Sequence, residues 1–177
     1  MIKQGRFEPV WTLNEIEQIA YQPQPESLNS DFMRMWKSKG YYHTSFCGDL
    51  YGQGKPVPEW CHTVADHIGL TQTGFTFHRM HTLDIMPTHV DHFINYCKIY
   101  QVNKAEVYRA LMFLDDWRPG HYFEYGDKGL TNWRSGDWIL WSHDVPHAAA
   151  NIGIDPRYTL QITGVLVNGK NHANTED

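Results

Sequence analysis

The sequence predicts a mainly β domain, an antiparallel sandwich or barrel supported by a few N-terminal α-helices. Three observations predict it. After residue 74, short apolar and aromatic runs recur at regular intervals, with turn-rich stretches and no helical run between them. Before it, the apolar spacing is helical and punctuated by caps and breakers. The length, 177 residues, suits one domain that buries its own core without a staple.

Taken in order, residues 12–20 (TLNEIEQIA) open on Thr12 as an N-cap with Glu15 three residues on, the pattern of a capping box. Residues 21–27 (YQPQPES) break the chain. A second helix is expected to be capped at Ser30 and stopped by Gly40. Residues 48–58 (GDLYGQGKPVP) read as loop, and residues 59–70 as a third helix ended by Gly69. The strand candidates are residues 75–85, 107–114, 137–141 and 157–167. The expected organisation is one domain over 1–177: a mostly helical support (1–74), a β core (75–167) and a loose tail (168–177).

Bulk composition narrows the function. Fifteen basic against twenty acidic residues give a net charge of −5, and no basic run appears, so a nucleic-acid phosphate footprint is not favoured. No segment approaches the length of a membrane span, and the N-terminus lacks the apolar stretch of a signal peptide. Cys47, Cys61 and Cys97 are scattered and include no C-x-x-C, which fits reduced thiols and a cytoplasmic location. Eleven histidines are many for this length. Six of them (His78, His81, His89, His92, His143 and His147) fall in two short regions.

The stretch PTHVDHF (87–93) concentrates the chemistry. On a strand, i and i+2 share a face, so His89 and Asp91 point together while Val90 and His92 point away. That gives two metal ligands, and a third must come from elsewhere. WSHDVPHAAANIG (141–153) offers His143 and His147. Pro146 argues against a helical i, i+4 pair, so the two are not equivalent. Ten residues after His147, Arg157 opens the last strand with Thr159 on the same face. Two imidazoles and a carboxylate on one face of an octahedral ion leave three positions open, which suits non-haem Fe(II). An arginine in the same barrel can take a carboxylate in bidentate fashion.

His89-x-Asp91, distal His147 and the Arg157/Thr159 pair resemble the iron and 2-oxoglutarate-dependent dioxygenases, especially their prolyl-hydroxylase-like branch. RALMFLDDW, GHYFEYGD, SGDWILWSHDVPHAAANIG and RYTLQITG are similar in order and character to that branch's core strands, over residues 75–167. The resemblance implies a double-stranded β-helix (jelly roll). It implies Fe(II) on His89, Asp91 and His147, and 2-oxoglutarate as co-substrate with its far carboxylate on Arg157 and Thr159. Dioxygen and a small-molecule or peptidyl substrate would be the other partners. The chain departs from the branch where a Gly-Gly-Glu turn is usual and RPGHYFEYGD stands instead, which bears on the substrate side.

The remaining residues take plainer readings. His92 and His143 are expected outside the metal site, with His143 as the substitute if His147 fails. His78 and His81 read as polar filling on the strand that feeds PTHVD. Trp117, Trp133, Trp138 and Trp141 read as packing, and Asp115 and Asp116 as a solvated turn. One face of the strand with Tyr108, Met112 and Phe113 is a candidate co-substrate wall, and Asn151 and Tyr158 are candidate contacts. Two other functions stand beside the hydroxylase: a non-catalytic jelly-roll binding module, and a cupin-like metalloenzyme that does not use 2-oxoglutarate. Neither needs the arginine.

Overall fold

A computed structural model describes residues 1–23, 30–41, 48–52 and 54–167, with backbone only for residues 30–33. Among the described residues eleven strands run β1 (Ile2–Arg6), β2 (Gln22–Pro23), β3 (Asp49–Gly52), β4 (Leu70–Met80), β5 (Ile85–His89), β6 (Val107–Phe113), β7 (His121–Tyr125), β8 (Lys128–Leu130), β9 (Asp137–Ser142), β10 (His147–Asn151) and β11 (Arg157–Leu166). The helices are α1 (Leu13–Glu17), α2 (Ser30–Ser38), α3 (Trp60–Ile68) and α4 (Ile94–Tyr100), with a 3₁₀ turn at Lys104–Glu106. A large sheet of order β1-β9-β6-β11-β4-β3-β2 faces a small one of order β5-β10-β7-β8, and every pairing is antiparallel. This is the expected jelly roll with N-terminal helices against it.

The helix signals hold. Thr12 and Glu15 form the reciprocal capping box, and Gly69 ends α3 in the left-handed conformation (φ +87°). α2 spans the second expected helix and Gly40 is left-handed behind it (φ +96°); the side chain of Ser30, the expected cap, lies outside the described residues. Four expectations need correction. Residues 49–52 form β3 and pair with β4, so the loop reading of 48–58 fails there. The strand placed at 75–85 starts at Leu70, ends at Met80, and turns through residues 82–83 into β5, which leaves His81 off the strand. α4 interrupts the β core between β5 and β6. The N-terminal support contributes three strands to the large sheet as well as helices. The expected tail, 168–177, lies outside the described residues, as does Cys47.

The core has two layers because the large sheet is covered on both faces. Phe77, Ala110, Met112, Leu140, Leu160 and Ile162 pack outward under Ile16 of α1 and Cys61, Val64, Ala65 and Ile68 of α3. Met80, Leu111, Phe113, Ile139 and Trp141 point inward onto Phe123, Tyr125 and Ala149 of the small sheet. A strand buried on both faces loses the alternation of a half-exposed one; β6 and β11 are accordingly buried at most positions and exposed at none, while β7 and β10 alternate. The N-terminal segment is tied down by Trp11, whose Nε1 donates to the Leu114 carbonyl at 2.9 Å and whose ring lies 4.6 Å from that of Trp60.

One end of the jelly roll closes by backbone approach. A Cβ at Gly120 (φ +95°) would meet the Gly153 nitrogen at 2.2 Å, and Ile152 donates its N–H to the Gly120 carbonyl at 2.9 Å. The crossing fixes the start of β7 against the end of β10. There His121 Nε2 and Asn151 Nδ2 both reach the Asp155 carbonyl, at 2.9 and 2.8 Å. Gly69→Ala meets open space and carries only the left-handed penalty of about 1 kcal/mol. Gly120→Ala adds a backbone collision. Thermal melts of the two variants should show the larger loss for Gly120→Ala; equal losses would mean the crossing is loose.

Candidate metal centre and buried guanidinium

The register of β5 and β10 sets His89 directly opposite His147, with ring centroids 4.3 Å apart. β5 ends at His89, so Asp91 stands just beyond the strand and not on it. Its carboxylate still turns toward the two rings. The three candidate ligand atoms lie within 4.8 Å of one another, and Asp91 Oδ2 is 3.8 Å from His147 Nε2. The sequence-predicted trio is thus brought together. His92 is exposed, and His143 sits in the turn before β10 and is not in the group.

Both imidazoles are held in the same tautomer. His89 Nδ1 is 2.8 Å from the Pro87 carbonyl, and His147 Nδ1 is 3.1 Å from the Val145 carbonyl. A carbonyl only accepts, so each Nδ1 carries the proton and each Nε2 keeps its lone pair. Burial pushes His147 down to about 4, against the pull of Asp91, and pushes His89 down as well. Burial, the largest single influence, would raise Asp91, but Arg109, His147 and His89 together outweigh it and hold the carboxyl at about 2. The set therefore offers two neutral imidazole nitrogens and one carboxylate, spaced so that one first-row divalent ion spans them with little movement.

Arg109 was not singled out in the sequence. Its Nε and Nη2 donate to Asp91 Oδ2 and Oδ1 at 3.2 and 3.1 Å, its Nη1 donates to Thr163 Oγ1 at 2.7 Å, and its guanidinium lies over Phe93 at 5.2 Å. A signal was present: in VYRALMF, Arg109 has the parity of Leu111 and Phe113, which face inward, and a buried arginine needs an acid.

Arg157 is the opposite case. It is 2% exposed, on the inward face of β11, and its guanidinium carbon lies 5.5–5.6 Å from the rings of Phe113, Phe123 and Trp133. Nη1 reaches Met80 Sδ at 3.3 Å, while Nε and Nη2 find no hydrogen-bond partner among the described residues. Burial alone pushes its pKa down to about 9. Buried Thr159 Oγ1 on the same face is also without a partner among the described residues. Ring contacts connect this box to the metal centre: Phe123 lies 5.7 Å from Trp141, and Trp141 lies 4.8 Å from His147.

The other candidates separate by face. Phe113 lines the box, whereas Met112, Tyr108 and Tyr158 belong to the outer layer. Asn151 spends its amide on the Met80 and Asp155 carbonyls. Trp133 and Trp141 line the interior, and Trp138 packs outward. His78 is buried, and exposed His81 pairs with Asp49 at 2.9 Å. Cys61 is buried, its thiol pushed up to about 12, and Cys97 is half-buried.

Solved structures share this architecture. A prolyl-4-hydroxylase from Pseudomonas putida superposes with a TM-score of 0.52 at 14% identity, covering 88% of this chain and 97% of that one. A predicted oxalate decarboxylase from Thermotoga maritima gives 0.41 at 12% identity, over 67% and 80%. A Klebsiella pneumoniae protein with a double-stranded β-helix domain gives 0.37 at 13%, over 55% and 70%. The fold is a double-stranded β-helix. No protein-family model matches the chain, and no curated relative matches it in sequence. Among the described residues no helix is long and apolar enough to cross a membrane.

The titration of the site has a sign. Between the ordinary value of 6.5 and about 4, an unfolded chain binds a proton at His147 that the folded chain does not. Stability is therefore full above 6.5 and lost as pH falls toward 4; His89 and His121, both also lowered by burial, add in the same direction. Metal-free protein should melt at progressively lower temperature through that window, and His147→Asn should remove part of the slope. An unchanged slope in the variant would contradict a neutral, buried His147.

Proposed function

We propose that the protein is an Fe(II)- and 2-oxoglutarate-dependent dioxygenase that hydroxylates an unactivated C–H bond. One observation carries the reading: a two-imidazole, one-carboxylate donor set shares an interior with a guanidinium that has no acid partner among the described residues. An uncompensated buried cation costs several kcal/mol, so a ligand anion is the natural partner. The donor set alone suits many metalloenzymes of this fold. Arg157 favours an acidic co-substrate and separates this reading from a cupin-like enzyme or a binding module.

In this reading His89, Asp91 and His147 would hold the ion through Nε2, a carboxylate oxygen and Nε2. Bound iron would supply the redox chemistry that couples reduction of dioxygen to oxidation of the keto acid. The balance is 2-oxoglutarate, dioxygen and R–H giving succinate, carbon dioxide and R–OH. Arg157 offers its Nε/Nη2 edge, which matches a carboxylate in bidentate fashion, and Thr159 adds a hydroxyl donor. Phe113, Phe123, Trp133 and Trp141 keep the interior dry, which strengthens that ion pair and limits side reactions. Substrates remain a class: a peptidyl side chain, an amino acid or a small metabolite. The prolyl-4-hydroxylase of the same fold makes a peptidyl side chain the first to try.

Succinate release, with and without candidate substrates, tests the proposal. His89→Ala and Asp91→Ala should abolish it in both settings. Arg157→Met should raise the KM for 2-oxoglutarate by about a hundredfold, in keeping with about 3 kcal/mol for a buried charged pair. Normal turnover by His147→Ala would pass the distal role to His143. Metal uptake with no response to 2-oxoglutarate, in succinate or in thermal stability, would refute the reading.

A further inference from the structure

Resting on that metal centre, we infer that Arg109 is a positioning residue that restricts Asp91 to one-oxygen coordination and so keeps the ion's remaining positions open. The guanidinium meets the carboxylate side-on, Nε to Oδ2 at 3.2 Å and Nη2 to Oδ1 at 3.1 Å. That fork occupies the edge between the two oxygens, which is the edge a chelated ion would need. An ion must then approach through the other lone pair of Oδ2, the oxygen that lies 3.8 Å from His147 Nε2.

The fork is itself pinned. Arg109 Nη1 donates to Thr163 Oγ1 at 2.7 Å, directly across the β6/β11 ladder, and the Phe93 ring lies 5.2 Å from the guanidinium carbon. Arg109 and Asp91 are both largely buried, 17% and 13% exposed in their side chains, so the pair is held and not a passing surface contact. Asp91 has left the strand by this point, and no ladder bond fixes it. Its direction depends on the guanidinium. The same charge beside the carboxylate opposes cation binding, so Arg109 trades metal affinity for open coordination.

Two measurements on the full chain test this without turnover. In a crystal structure of the Mn(II)-loaded wild-type protein, Asp91 should coordinate through Oδ2 alone with Arg109 still on its outer edge. Calorimetry of Arg109→Met should show Mn(II) binding tightened by about tenfold, with 2-oxoglutarate binding to the Mn(II) form weakened by about tenfold. Opposite signs are the signature, since a purely structural role would weaken both. Arg109→Lys keeps the charge but loses the fork: Mn(II) affinity should stay near wild type while 2-oxoglutarate binding falls. Asp91 chelating Mn(II) in the wild type, or both affinities falling in Arg109→Met, overturns the inference and leaves the metal centre standing. Wild-type protein that takes up no Mn(II) overturns both.

Discussion

The antiparallel pairing of β5 with β10 is the constraint on which the interior depends. It sets His89 opposite His147 at 4.3 Å between rings, two histidines 58 positions apart in the chain. A slip of one strand by one residue would turn that strand's side chains to the other face and send the imidazoles apart. The register is held from both sides: β10 also pairs with β7 from His147↔Tyr125 to Asn151↔His121, and the Gly120–Gly153 crossing locks the far end. Once the rings face each other, the backbone carbonyls two residues upstream settle the tautomer of both. No other side chain is required for that choice.

Two arginines on the inner face of the large sheet show how burial is resolved in opposite ways. Arg109 is matched by Asp91 and Thr163, so its charge is compensated within the chain. Arg157, enclosed by three aromatic rings and a thioether, has no such match among the described residues. Its stacking on aromatic faces offsets part of the desolvation, because a guanidinium is more weakly hydrated than an ammonium. The rest remains as a standing bias toward an anion. Stability and ligand affinity are linked there: whatever neutralises Arg157 also stabilises the fold.

Much of this was legible in the sequence, for identifiable reasons. His-x-Asp and the Arg157/Thr159 pair were readable from strand parity; Pro146 only ruled out a helical pairing of His143 with His147, and the choice of His147 came from the family resemblance. Asp91 needed less than parity assumed, since the strand stops at His89 and the turn completes the approach. β3 was hidden because Gly48, Gly52 and Gly54 dress it as loop, although its pairing with β4 is what makes it a strand. The two-faced burial of β6 and β11 erased the alternation that would have told inner from outer residues. Tyr158 was therefore considered for the site and Arg109 passed over. Facing is decided by which sheet lies opposite, and that information is not local to either strand.

Trp36 of α2 lies edge-on to His89 at 5.8 Å between ring centroids, and Trp141 lies 4.8 Å from His147. Each candidate imidazole therefore has an indole for a neighbour. Such indoles are natural emitters within quenching range of any paramagnetic ion seated between the histidines. The protein thus carries an optical gauge of its own occupancy, one lamp on the barrel wall and one on a helix from the N-terminal segment. Differences between the two would report whether that helix stays seated when the interior fills.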